Sequence, residues 1–269
     1  MLANPLMQSI NNPMTVNSYL TNRASNAILS TGEQDSINRS VATLQTRLNS
    51  YFGSKLNSHF RFGSSTRGTI LPRSMDGHSD IDYMVVFAEG GYTPQTYLNR
   101  LRAFVDAYYS SSDIKQSSPT IVLELNHIKF DLVPALANMW GGYQIPDGTS
   151  SWQNTNPNDF NGKLTEKNTA NHHLIKPTIR LVKYWNAQNG YVFDSYSLEK
   201  WIVDQSYFYI STQRDYLLET FEKLATPTDT QWRKDKVERA KKIVAEVRRL
   251  ERENMPVSAE LEIKKLIPE

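Results

Sequence analysis

The sequence predicts an α+β chain of two lobes, a mixed β-sheet lobe followed by an all-helical lobe, with a cleft between them. Two observations carry this. Up to about residue 165, helical patterns alternate with short β-rich runs such as Ile81–Phe87, Thr120–Leu125 and Ile128–Val133. From Glu166 onward the apolar residues recur at helical spacing and no strand pattern returns. The length, 269 residues, is at the upper limit for one core and suits two lobes sharing a cleft. The expected division is a loose leader over 1–13, a first lobe over 14–165 and a helical lobe over 166–269.

The leader is polar, contains two prolines and shows no periodicity, and Met14 is an alternative start. Ser30 and Glu33 have capping-box spacing, and Ile37, Val41, Leu44, Leu48 and Phe52 then give a helix with one buried face, ending near Gly53. This helix can pack with either lobe. His59 to Gly63 is strand-like. Residues 63–79, rich in Gly, Ser, Thr, Arg and Pro, read as loops or turns. Ile81–Phe87 is a short apolar run of the kind found in a strand buried on both faces. A helix follows over 94–109. Thr120–Leu125 and Ile128–Val133 form a hairpin about Asn126-His127, and 138–162 reads as a long loop. The second lobe begins with Ile175, Ile179, Val182 and Trp185 at helical spacing up to Gly190. Further helices are predicted over Ser195–Tyr209, Arg214–Leu224 and Trp232–Asn254.

Composition removes several classes of function. There are 30 Lys+Arg against 28 Asp+Glu, a net charge of +2, so no global attraction to nucleic acid or anionic membrane is expected and phosphate binding must be local. With no cysteine, thiolate nucleophiles, disulfides and Cys-ligated zinc are excluded. The five histidines show no metal-ligand spacing. The longest apolar stretch, around Ile81–Ala88, is far short of the roughly 20 residues of a membrane-spanning helix, and no secretory signal is visible. The expectation is a soluble cytoplasmic protein with no membrane partner.

Three features occur in one order: the small-residue turn Gly63-Ser64-Ser65-Thr66-Arg67-Gly68-Thr69, the acidic opening Asp80-Ile81-Asp82 of a strand, and Asp131 within Ile128–Val133. Successive strand residues point to opposite faces, so Asp80 and Asp82 share a face while Ile81 enters the core. On the hairpin strand Ile128, Phe130 and Leu132 form one face and Asp131 points the other way with Lys129 and Val133. If the hairpin pairs beside the Asp80 strand, three carboxylates converge. Such a cluster needs cations, and hard oxygen ligands suit Mg²⁺ or Mn²⁺. Two such ions about 3.5–4 Å apart stabilise the entering and leaving oxygens of an in-line phosphoryl displacement. The Gly63-Ser64 turn supplies N–H groups and a hydroxyl suited to phosphates. Asp131 is the telling member, because an unpaired charge in an apolar strand is costly.

Gly63-Ser64, Asp80-x-Asp82 and the later lone Asp131 resemble the polymerase-β-type nucleotidyltransferases. The fuller string FGSSTRGTILP, SDIDYMVVF and KFDLVPA is similar to the bacterial cGAS/DncV-like nucleotidyltransferases, relatives of animal cyclic GMP-AMP synthase and oligoadenylate synthetase. Leu181-Val182-Lys183-Tyr184-Trp185 and Asp194 to Glu199 resemble that family's Lys helix and Ser-Tyr motif, so the likeness covers about 30–255. It implies a two-lobed polymerase-β-like fold with the active site in the cleft. It implies that Asp80 and Asp82 bind both metals and that Asp131 holds the catalytic metal and helps deprotonate the attacking hydroxyl. Gly63, Ser64, Lys183 and Ser195 would hold the donor triphosphate, and Tyr196 would stack on the donor base. The implied activity condenses nucleoside triphosphates into a cyclic oligonucleotide, a second messenger of bacterial antiphage (CBASS) signalling that acts on a separate effector protein. An activating ligand or protein partner is unidentified. The animal DNA sensor's zinc ribbon and a long basic spine are both absent, so sensing of double-stranded DNA is not expected.

Plainer readings stand beside these. Arg67 reads as an exposed loop arginine, with a phosphate contact as its alternative, Lys183 as a surface lysine whose stem packs on the core, Ser195 as a helix N-cap and Tyr196 as a core aromatic. The basic, amphipathic segment 232–252 reads as one buried and one solvated face, with an RNA or partner patch as the minority reading. Two other functions remain: transfer of nucleotides to an RNA 3′ end or a protein side chain, and a nucleotide-binding sensor without catalysis. The first needs a basic acceptor groove. The second is expected to have lost a carboxylate, and all three are present.

Overall fold

The structure, a computed structural model, describes residues 15–110, 112–117, 120–139, 141–157, 159–225 and 230–269. The expected leader over 1–13, and Met14, lie outside them. The first helix, α1 (Val16–Asn26), is capped by Thr15. Helix α2 (Thr31–Phe52) begins at the predicted capping box: Glu33 N–H donates to Ser30 Oγ at 3.3 Å and Ser30 N–H donates to the Glu33 carboxylate at 2.8 Å. Then come β1 (Leu56–Arg61), the single turn α3 (Ser64–Arg67), β2 (Asp80–Phe87), α4 (Pro94–Tyr108), β3 (Asp113–Ser117), β4 (Thr120–Glu124), β5 (Lys129–Ala137), β6 (Tyr143–Asp147) and β7 (Ser151–Thr155). The helical half is α5 (Asp159–Ala170), α6 (Ile175–Gln188), α7 (Ser195–Asp204), α8 (Gln213–Lys223), α9 (Gln231–Arg252) and α10 (Pro256–Ile263).

The strands form one mixed sheet in the order β1-β2-β5-β4-β3, with β6 and β7 continuing from the far end of β5. β2 and β5 are parallel neighbours, and the other pairs are antiparallel. Strand alternation sorts their residues. Ile81, Tyr83, Val85 and Phe87 of β2, with Phe130 and Leu132 of β5, enter a core roofed by α2 and α4. Met84, Val86 and Ala135 face the other side, under Phe60 and Tyr143. Asp80, Asp82, Lys129 and Asp131 share that second face, at the ends of the strands left open to the cleft.

A second core joins α1 with α5 to α10. Core membership refines the predicted division: α2 packs on the sheet, α1 belongs with the helices, and Phe160 and Leu164 place α5 there too, ahead of residue 165. Other expectations change. The predicted loop 138–162 contains the β6–β7 hairpin and the start of α5. Residues 63–79 contain α3. The helix from Ser195 stops at Asp204, since Gln205 is extended. No described helix is long and apolar enough to cross a membrane.

Candidate active site

The two lobes enclose a cleft of about 570 Å³, with Ser64, Arg67, Asp76, His78, Asp80, Asp82 and Lys129 on one side and Lys183, Tyr191, Asp194, Ser195, Tyr196 and Glu199 on the other. Its sheet wall is built by register. The parallel pairing of β2 and β5 sets Asp80 opposite Lys129 and Asp82 opposite Asp131, so the three carboxylates occupy adjacent positions on one face. Asp82 also fixes the turn before it. Gly63 has φ 72° and ψ −154°, a region essentially reserved for glycine, and a Cβ there would lie 1.8 Å from Asp82 Oδ2. Only glycine lets the Ser64 turn approach this carboxylate.

The carboxylates crowd one another. Burial, reinforced by Asp80 and Asp131, pushes Asp82 up to about 7, against the opposing pull of Arg67 and Lys183. Burial and Asp80 push Asp131 up to about 6, against Lys129. Lys129 relieves part of this repulsion: its ammonium is 3.1 Å from Asp80 Oδ2 and 3.9 Å from Asp131 Oδ1. No group of three His, Asp or Glu side chains among the described residues is arranged to hold a metal ion. The donor set nevertheless fits a hard cation. Asp131 Oδ1 is buried and accepts no hydrogen bond, and carboxylates held this far above their usual range favour any added positive charge.

The helical wall differs from the plainer readings. Lys183 is no surface residue. It is 6% exposed, and its ammonium donates to Glu199 Oε1 at 2.9 Å and to the Thr69 carbonyl at 3.1 Å. Arg67 is no exposed loop residue either. It is 7% exposed, and its Nε donates to Glu199 Oε2 at 2.9 Å. Ser195 opens α7, but the cap is Asp194, whose carboxylate accepts from Ser197 N–H at 2.8 Å. Tyr196 is 46% exposed at the cleft and meets Phe160 edge-to-face at 5.6 Å, so it is not a core residue. Arg67 lies over both rings, 5.4 Å from each centroid. The cleft therefore gathers Ser64, Asp80 and Asp82 against Lys183, Ser195 and Tyr196, while Gly63 and Asp131 stand behind its lining, against Ser64 and Asp82.

Sequence reasoning missed three participants. Lys129 was placed on the face of Asp131 but given no role. Glu199 carries a faint signal, a carboxylate three residues after Tyr196 on a helix. The Tyr191 hydroxyl donates to Asp76 Oδ1 at 2.6 Å while its ring stacks on His78 at 4.7 Å, a link between lobes that no spacing announces.

A mixed sheet, a helical lobe and a cleft between them make this the fold of a two-lobed polymerase-β-like nucleotidyltransferase. The chain belongs to the Second Messenger Oligonucleotide or Dinucleotide Synthetase (SMODS) domain family, which matches residues 14–168. A probable cyclic nucleotide synthase of Bacillus cereus (strain VD146) is 30% identical over an alignment of 206 positions that covers 61% of this chain and 61% of that relative's length. The fold is similar to that of the Vibrio cholerae DncV cyclic AMP-GMP synthase, with a TM-score of 0.71 at 11% identity over 94% of this chain and 96% of that one. It is also similar to Escherichia coli MS115-1 CdnC, solved with ATP, with a TM-score of 0.69 at 17% identity over 94% and 98%.

Proposed function

We propose that the protein is a metal-dependent nucleotidyltransferase that condenses nucleoside triphosphates into a cyclic oligonucleotide and releases pyrophosphate. The observation that carries this is the placement of Asp80, Asp82 and Asp131 on one face of two adjacent strands, beside the Gly63-Ser64 turn and at a cleft of nucleotide size that Asp80 and Asp82 line. The relatives' activities, cyclic nucleotide synthesis and cyclic AMP-GMP synthesis, support the cyclic product, and ATP on CdnC supports a triphosphate substrate.

Asp80, Asp82 and Asp131 would hold two Mg²⁺ or Mn²⁺ ions, which neutralise the charge that develops on the entering and leaving oxygens. Gly63 and Ser64 bind the donor phosphates from the sheet side, and Lys183 and Ser195 from the helical side. Tyr196 offers an exposed ring face to the donor base. Asp131 helps to take the proton of the attacking hydroxyl. That oxygen then bonds to the α-phosphorus as the bond to pyrophosphate breaks. The product acts on a separate effector protein in antiphage signalling in the cytoplasm, with an activating ligand or protein setting when synthesis occurs.

The test is incubation with each labelled nucleoside triphosphate and Mg²⁺ or Mn²⁺, phosphatase treatment, and mass spectrometry of the resistant products. Cyclic products are expected. Linear extension of an added RNA, or labelling of a protein, would assign the chemistry to a macromolecular acceptor. Nucleotide binding with no product under any condition would leave a sensor.

A further inference from the structure

Glu199 is the most deeply buried charged group at the cleft, 1% exposed, and both of its oxygens are engaged. Oε2 accepts from Arg67 Nε at 2.9 Å. Oε1 accepts from Lys183 Nζ at 2.9 Å and from Thr69 Oγ1 at 3.0 Å. Arg67 and Thr69 follow the Ser64 turn in the sheet lobe, whereas Lys183 and Glu199 stand on α6 and α7. One carboxylate thus ties the lobes together and fixes two cations that line the same cleft as Ser64 and Ser195.

Within this group two cations and one anion leave a single net positive charge, and the rest of the lining adds Lys129 against Asp76, Asp80, Asp82 and Asp194. A buried charge triad carries a desolvation cost, and an uncharged partner for the two cations would leave them repelling each other. The arrangement makes sense if both cations must be held in place while their combined grip is kept weak. Each added unit of nearby charge strengthens the hold on a triphosphate and on pyrophosphate alike. Binding of that uniform kind does not speed the chemical step, and a tightly held product delays the next turnover.

We propose that Glu199 is the resident counter-charge of the donor phosphate subsite. It positions Lys183 and Arg67 across the lobes and, by cancelling one of their two charges, sets phosphate affinity low enough for pyrophosphate to leave. It is a positioning residue and touches no substrate. The proposal rests on the reading above that the triphosphate lies between Ser64 and Lys183.

The test compares Glu199→Gln and Glu199→Asp with the wild type. Pyrophosphate, ATP, GTP, CTP, UTP and the matching nucleosides are titrated calorimetrically with Mg²⁺ and again in EDTA, where protein charges alone are read. Glu199→Gln is expected to bind pyrophosphate and the accepted triphosphates roughly tenfold tighter or more, with nucleoside affinity unchanged. In Mg²⁺ its kcat and KM both fall, because release slows. Glu199→Asp keeps the charge and stays within about twofold of the wild type in pyrophosphate affinity. Pyrophosphate affinity that is unchanged or weaker in Glu199→Gln overturns the proposal, as do equal shifts in both variants, which mark a purely structural role. If Glu199→Gln does not fold alone, folding restored by pyrophosphate supports the proposal and failure of that rescue overturns it. Loss of the donor-site reading looks different: the wild type itself then binds neither pyrophosphate nor any triphosphate, with Mg²⁺ present as well as in EDTA.

Discussion

Asp82→Asn separates the cost of the site from its use. Asp82 titrates near 7 rather than 3.8, because burial and the neighbouring Asp80 and Asp131 disfavour its charged form. The folded pKa lies above the unfolded one. The stabilising proton is therefore fully present below pH 4 and is lost as pH rises through about 7. At 1.36 kcal/mol per pH unit, the displacement corresponds to about 4 kcal/mol by pH 8. The carboxyl opens onto a solvent-filled cleft, and water recovers part of that, leaving about 2 kcal/mol. Asparagine has the same shape and no charge. In EDTA, Asp82→Asn should match the wild type at pH 4 and melt roughly 4–8 °C higher at pH 8, at about 2–4 °C per kcal/mol for a chain of this size. Mg²⁺ should raise the wild-type melting temperature at pH 8 and raise that of the variant much less. Product formation should fall by about 10²-fold or more, the usual loss when one group stabilising developing charge is removed. Thermal denaturation across pH, with and without Mg²⁺, reads all of this. Parallel pH profiles for the two proteins, or a variant less stable at pH 8 in EDTA, would refute the electrostatic account. Full synthesis by the variant would refute the site.

The remaining substitutions probe the same cleft from other sides. Gly63→Ala places a Cβ 1.8 Å from Asp82 Oδ2 at φ 72°, so it should cost about 1–3 kcal/mol in urea denaturation and abolish synthesis by displacing that carboxylate. Lys183→Ala should weaken triphosphate binding in calorimetry and also cost about 2–3 kcal/mol of stability, because it strips a buried partner from Glu199. A variant as stable as the wild type would contradict the hydrogen bonds seen here. Tyr196→Ala should lose about 1–3 kcal/mol of affinity for every accepted triphosphate, and Tyr196→Phe little, since the ring face does the stacking. Equal damage from both would assign the role to the hydroxyl.

What the sequence made legible was local. The capping box and the spacing from Ile37 to Phe52 define α2 without help from the rest of the chain. Strand alternation turns Asp80 and Asp82 away from Ile81 and turns Asp131 away from Phe130, and only their adjacency on one face of the sheet awaited the β2–β5 register. The β6–β7 hairpin was missed because its strands are polar and one contains Pro146, which breaks the alternation a buried strand would show. The burial of Lys183 was missed for a different reason. A periodicity argument gives a helix one apolar face, but α6 is central to its lobe and is buried on nearly every side. A lysine there needs a counter-charge, and that carboxylate sits sixteen residues on in another helix, while its second cation, Arg67, lies 132 residues away. Charged residues are read as exposed by default, and the exceptions are settled by partners remote in sequence.

The position of the carboxylates has a consequence for how the site works. In open α/β sheets, ligands commonly bind beyond the carboxyl ends of parallel strands, where helix N-termini meet phosphates. Here Asp80 and Asp82 open β2, and Asp131 lies near the start of β5, so the site is at the opposite, amino end of the parallel pair. Helix α7, whose N-terminus faces the cleft, carries the carboxylate of Asp194 as its cap, a negative charge where an anion would otherwise be favoured. On the proposed function, phosphate recognition then rests on the Gly63-Ser64 turn and on side chains, among them the Arg67–Glu199–Lys183 group, rather than on the α7 dipole. Side chains held by ion pairs can be retuned by changing one charge, whereas a helix dipole is fixed by the backbone. A fold that places its carboxylates on strands and its phosphate contacts on such a group can alter the hold on phosphate without disturbing the geometry of the reacting centre.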